Sequence, residues 1–127
     1  MSSLPAFSQH YFDVLTTRPG KWTLTVITLL RDETLRFSEI KRAGGISQKT
    51  LTTTLRELER DGFVTRTMFG TIPPRVDYEL TDLGRELLPL ADGMREFAIR
   101  NGARVLAARE RFDAHGEDPA SKLVQFG

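Results

Sequence analysis

Ser47-Gln48-Lys49-Thr50-Leu51-Thr52-Thr53-Thr54-Leu55-Arg56-Glu57-Leu58-Glu59-Arg60-Asp61-Gly62 carries its own start and stop signals. Ser47 is a residue type that accepts from the free backbone N–H groups at the head of a helix. Ile46 before it and Leu51 inside it are spaced for a hydrophobic staple. Gly62 stands where a left-handed C-terminal residue is wanted, and Phe63 after it can fold back on Leu58. The spacing therefore predicts a helix of about four turns, fixed at both ends. Leu51, Leu55 and Leu58 recur at i, i+4 and i+7 and form one apolar stripe. At about 100° per residue, Lys49, Thr53, Arg56 and Arg60 point the other way, with Gln48 and Thr52 on the flanks. Such side chains donate to phosphates and base edges. They suit water equally well, so an isolated helix of this kind reads first as a solvated amphipathic surface helix. Its neighbours decide between the two.

Upstream, Leu35-Arg36-Phe37 can supply a brief edge strand. Ser38 can cap a two-turn helix over 39–43 with Ile40 buried. Gly44-Gly45 then breaks the chain before Ile46. A short helix, a glycine turn and a capped second helix make a helix-turn-helix. Downstream the period changes from 3.6 to 2. Residues 63–69 are β-branched and aromatic, and in Arg75–Leu80 the apolar Val76, Tyr78 and Leu80 alternate with Asp77 and Glu79. Between them Gly70-Thr71-Ile72-Pro73-Pro74 reads as a five-residue hairpin loop stiffened by two prolines. A hairpin directly after a helix-turn-helix is a wing, and Arg66 and Arg75 flank its loop.

The remaining segments read as helix. Phe7, Tyr11, Val14 and Leu15 mark a short amphipathic helix ended by Arg18-Pro19-Gly20. Residues 22–30 favour a strand by propensity, but Trp22, Val26, Leu29 and Leu30 share a helical face and the flanks suit a helix. Trp22 has two readings, a core anchor or the lining of an effector pocket shared with Phe12 and Phe97. Thr81 can cap a helix whose apolar face, from Leu83 through Leu87, Leu90, Met94 and Phe97, runs for nearly five turns. Pro89 is expected to kink it, Asn101-Gly102 to bend or end it, and Val105, Leu106 and Phe112 to resume it. This apolar length exceeds what a winged domain needs, and the same segment of a second subunit is the simplest cover. Residues 116–127 read as a polar tail.

Composition excludes several classes. The 127 residues are 39% hydrophobic and 28% charged, as in a globular domain. There is no cysteine, which removes disulfides, thiolate metal sites, a thiol nucleophile and thiol redox sensing. No signal peptide is visible. The longest apolar-leaning run, 22–30, is too short to span a bilayer, so a cytoplasmic protein is expected. His10 and His115 are the only histidines and lie on different elements, so no metal site is expected. No phosphate-loop or nucleophile-elbow motif occurs, and Glu57 and Glu59 turn to different sides of their helix. An enzyme is not expected, and no cofactor is implied. Net charge is +1, unevenly spread: residues 36–75 hold eight basic and four acidic side chains, whereas 76–127 hold seven and ten. A basic middle suggests a local contact with a polyanion.

Several stretches together resemble the HxlR family of bacterial winged helix-turn-helix transcription regulators. They are Gly20-Lys21-Trp22-Thr23-Leu24, Arg36-Phe37-Ser38-Glu39-Ile40, Gly45-Ile46-Ser47-Gln48-Lys49-Thr50-Leu51-Thr52, Leu55-Arg56-Glu57-Leu58-Glu59-Arg60-Asp61-Gly62, Pro73-Pro74-Arg75-Val76-Asp77-Tyr78 and Leu80-Thr81-Asp82-Leu83-Gly84. The resemblance implies a mostly α fold with a small β-hairpin wing. It also implies a homodimer that binds a pseudo-palindromic operator in double-stranded DNA. One domain over 1–127 is expected, with a winged core at about 20–81, dimerisation helices at about 5–16 and 82–114, and a tail at 116–127. Carried over by position, Ser47, Gln48, Lys49, Thr52, Thr53 and Arg56 match the helix that enters the major groove. Arg75, with Arg66, matches the wing, and Arg36 and Lys21 are phosphate candidates. Phe7, Tyr11, Leu87, Leu90, Met94, Phe97, Val105 and Leu106 are the expected dimer contacts. Many members carry a cysteine in the N-terminal helix, where this chain reads Gln9-His10-Tyr11. Two further readings stay open: a winged-helix module that docks an acidic protein, and a sensor with a small-molecule effector pocket at the dimer interface.

Overall fold

The computed structural model describes residues 20–116. The expected N-terminal helix, with Phe7, Tyr11, His10 and Phe12, lies outside the described residues, as does nearly all of the tail. The described chain runs α1 (Lys21–Leu29), β1 (Leu35–Arg36), α2 (Phe37–Gly44), α3 (Gln48–Arg60), β2 (Val64–Phe69), β3 (Arg75–Leu80), α4 (Asp82–Arg85) and α5 (Leu88–His115). It forms two compact units that divide after Ala91, inside α5 rather than at a linker.

Helix α1 is helical despite its threonines. The Thr25 hydroxyl donates to the Lys21 carbonyl at 2.7 Å and the Thr28 hydroxyl to the Leu24 carbonyl at 2.8 Å. Back-bonding of this kind satisfies the hydroxyls within the helix, and Thr23, Val26 and Ile27 are buried along it. Trp22 is partly buried and packed against the core, which fits the anchor reading.

Helix α2 differs from expectation at its head. It begins at Phe37, two residues before the expected start, and Arg36 rather than Ser38 is its N-cap residue. The Arg36 backbone N–H donates to Glu39 Oε1 at 2.9 Å. Glu39 supplies this cap because β1 ends at Arg36, leaving no residue between strand and helix. Ile40 is fully buried, and the chain turns at Gly45 into α3.

Helix α3 has the ends its sequence specifies. Ser47 Oγ accepts from the Thr50 N–H at 3.2 Å. At the other end the Phe63 N–H donates to the Leu58 carbonyl at 2.9 Å and the Gly62 N–H to the Glu59 carbonyl at 3.1 Å. This pair of bonds requires Gly62 in the left-handed region, at φ 84°. The buried face is Leu51, Thr54, Leu55 and Leu58, one residue wider than the leucine stripe alone. Each buried leucine contributes about 1.5–3 kcal/mol relative to exposure. Together with Val26, Ile27 and Leu30 of the α1 region and with Ile40, Phe63, Tyr78 and Leu80, these leucines form one core.

The sheet is antiparallel in the order β1-β3-β2. Phe69 pairs with Arg75, so the loop between β2 and β3 is the expected five residues. Only Val64 of β2 is buried, because the hairpin leaves the core as it runs toward its loop. The architecture is a winged helix-turn-helix.

After the wing, Thr81 Oγ1 accepts from the Gly84 N–H at 3.0 Å, the expected cap. The helix it starts is short. It ends at Arg85, and α5 begins at Leu88. The expected five-turn helix kinked at Pro89 is thus two helices. Pro89 is the second residue of α5, where its missing N–H has no ladder partner to lose. No break occurs at Asn101-Gly102, and α5 continues to His115 over 28 residues.

Candidate nucleic-acid interface

The leucine face of α3 is fully covered, which leaves the opposite face to solvent. Gln48, Lys49, Thr52, Thr53, Arg56 and Arg60 are all exposed there. Gln48 and Lys49 stand in the first turn, where free backbone N–H groups favour an anion. Two candidates already have local work. Ser47 Oγ caps the helix and also donates to Thr50 Oγ1 at 3.0 Å. The Thr53 hydroxyl donates to the Lys49 carbonyl at 3.1 Å, keeping acceptor capacity for a partner.

The wing candidates are held by carboxylates. Arg66 Nε lies 3.5 Å from Glu59 Oε1, an exposed pair that ties β2 to the end of α3. Such a surface pair is weak and can exchange for a phosphate. Arg75 is held more tightly. Its Nε donates to Asp77 Oδ1 at 2.8 Å and its Nη2 to Asp77 Oδ2 at 2.9 Å. Its guanidinium carbon also lies 5.2 Å from the centroid of the Phe69 ring. The fork raises the Arg75 pKa and lowers that of Asp77, in both cases chiefly through these hydrogen bonds.

Arg36 comes close to the same place. Its register partner on β3 is Asp77. A shallow groove between the start of α2 and the wing loop is lined by Arg36, Phe37, Ser38, Ile72, Pro73 and Arg75, among others. The Lys21 ammonium lies 4.6 Å from the ring centroid of its neighbour Trp22 on α1.

The alternation of β3 predicts Asp77 as an ordinary outward polar residue. It is 7% exposed, beneath the Arg75 fork. The signal was present: an arginine and an aspartate two apart on a strand share one face. The pairing of Arg66 with Glu59 had no such local signal, because the partners lie on different elements.

Among the described residues, no group of histidine, aspartate or glutamate side chains could hold a metal ion. Nor is any described helix long and apolar enough to cross a membrane. On α5, Leu90, Met94, Phe97, Val105, Leu106 and Phe112 are 39–57% exposed, and Ala91 is the only buried residue of the helix. Leu87, also an expected dimer contact, is partly buried against the core of the winged unit.

The HxlR-like helix-turn-helix family matches residues 19–105. The chain is 44% identical over 84 residues to an uncharacterized HTH-type transcriptional regulator of Halalkalibacterium halodurans, a match spanning 65% of this chain and 74% of the relative. Among solved structures it is similar to the ytfH protein of Salmonella typhimurium, described as a transcriptional regulator. That match has 36% identity and a TM-score of 0.66, covering 81% of this chain and 90% of the other. It is also similar to the redox regulator HypR in its reduced form, with 36% identity and a TM-score of 0.65, covering 78% and 96%.

Proposed function

The chain belongs to the HxlR-like helix-turn-helix family of DNA-binding transcription regulators, and from that premise we propose that it works as a homodimer on a pseudo-palindromic operator. The dimer presents two α3 helices to successive major grooves, about 34 Å apart. The observation that carries this reading is the division of labour on α3. Every leucine is buried, both ends are capped, and Gln48, Lys49, Thr52 and Arg56 stand exposed on the other side. Gln48 and Arg56 are the residues suited to base edges. Lys49, Arg36, Arg66 and Arg75 are suited to the phosphate backbone.

The second subunit covers α5. A helix of 28 residues is about 42 Å long, and this one leaves several large apolar side chains exposed. At about 100° per residue, Leu90, Met94, Phe97, Val105 and Phe112 share one side of it. An apolar strip of that length on a regulator is an assembly surface. No thiol is available to sense oxidants, because the sequence has no cysteine. The signal read by this chain therefore differs in chemistry from a thiol switch.

Selection of duplexes from a random library by the purified protein, followed by footprinting, tests the reading. Two protected half-sites about one helical turn apart are expected. Arg56→Ala should weaken binding to the selected duplex by about tenfold or more while leaving binding to mixed-sequence DNA nearly unchanged. Selection of no common sequence, or an Arg56→Ala variant that binds the selected duplex as the parent does, would sink it.

A further inference from the structure

We propose that Asp77 is a positioning residue for DNA binding: it aims the wing arginine Arg75, so that a carboxylate strengthens the grip on a polyanion. This rests on the reading above that Arg75 contacts DNA.

Arg75 and Asp77 are two apart on β3 and share a face. The two N–H···O bonds between them, at 2.8 and 2.9 Å, are parallel and bidentate. Of the five guanidinium donors the fork consumes two. The three that remain are on Nη1 and on the far side of Nη2, and they point away from the carboxylate because the group is planar. On β2 the cross-strand partner of Arg75 is Phe69, whose ring lies against the guanidinium. The plane is thus fixed by the Asp77 carboxylate on one edge and by a ring beside it, with the remaining edge open. The Arg75 side chain is 44% exposed and that of Asp77 only 10%, so a ligand meets the arginine first.

Asp77 lies on the central strand, with Arg36 on β1 and Thr67 on β2 as its register partners. The charged groups around the fork are therefore Arg75, Arg36 and, from the first turn of α2, Glu39. Arginine carries large rotamer entropy, and a pre-set fork removes much of the ordering cost that a phosphate or base contact otherwise meets. The pair is neutral as a unit, so its value to binding is in directed donors rather than in net charge.

This gives a test whose sign separates two explanations. An acid that merely lies near DNA repels it, and its removal tightens binding. A positioning acid does the reverse. Fluorescence anisotropy with the duplex selected by the wild-type protein should show Asp77→Asn binding about tenfold more weakly, despite a net charge one unit more positive. Arg75→Ala should lose a similar factor, and the double variant should lose little more than either single one. Arg75→Lys keeps the charge and leaves Asp77 untouched, but an ammonium cannot make the fork; it should bind nearly as weakly as Arg75→Ala. Wild-type binding by that variant overturns the inference even should Asp77→Asn fail to fold. Tighter or unchanged binding by a folded Asp77→Asn, multiplying losses in the double variant, or wild-type binding by Arg75→Lys each overturns the inference. If Arg75→Ala binds like the parent, the wing contact fails and the inference with it, whereas Arg56→Ala still reports on α3 by itself.

Discussion

Replacing Gly84 by alanine should destabilise this protein, although the same change in an ordinary helix position does the opposite. Gly84 lies in α4 and is buried. A Cβ built there overlaps the Phe63 carbonyl oxygen and comes within 2.9 Å of its carbon. Neither group can move freely. That carbonyl accepts from the Thr81 N–H at 3.1 Å, and the Phe63 N–H is bonded to Leu58 at 2.9 Å, the bond that closes α3. Gly84 in turn donates its own N–H to Thr81 Oγ1. Relief of the overlap therefore strains a set of bonds joining the end of α3, the end of β3 and α4. Overpacking of about 1–3 kcal/mol plus about one weakened hydrogen bond gives roughly 2–4 kcal/mol. For a chain of this size each kcal/mol is worth about 4 °C, so Tm should fall by about 8–16 °C. Gly93→Ala is the matched control. It too is helical, but nothing lies within 4 Å of its added Cβ. That variant should gain about 0.5–1 kcal/mol from helix propensity. Thermal unfolding followed by circular dichroism at matched protein concentration reads both. A Gly84→Ala variant that melts with or above the wild type refutes the close approach of α4 to Phe63.

Three other outcomes are expected. Ser47→Ala removes the cap bond to the Thr50 N–H and should cost about 1 kcal/mol, seen in urea as a lower midpoint with an unchanged slope. Asp77 has a folded-state pKa below its ordinary value, chiefly because it accepts from Arg75. The stability it contributes is complete above the free aspartate value of about 3.9 and is lost as pH falls through the lowered one. Wild-type Tm should thus drop more steeply in acid than that of Asp77→Asn, and parallel curves would count against the pair. Phe97→Glu sets a carboxylate on the exposed apolar strip of α5. It should shift sedimentation equilibrium toward monomer, and an unaltered dimer constant would remove Phe97 from the interface.

Features whose causes lie within a few residues were legible in the chain alone. Ser47, Gly62 and the leucine spacing define α3 because caps and helical periodicity are local. The wing follows from a period change around Gly70-Thr71-Ile72-Pro73-Pro74, and the exposed face of α3 follows from the position of its leucines. Other features depended on chain segments that meet only in the fold. The head of α2 was set by β1 running directly into it, so Glu39 rather than Ser38 provides the cap. Asp77 is buried because β1, some forty residues earlier, lies beside β3 and Arg75 closes over it. Arg66 found Glu59 across two elements. The break at Glu86 and Leu87, which turned Pro89 from an expected kink into the start of a helix, lies just after the docking of Gly84 on the Phe63 backbone. A helical apolar pattern records which side of a segment is buried. It does not record where a neighbouring backbone packs against the segment, because that distance is fixed by atoms twenty or more residues away.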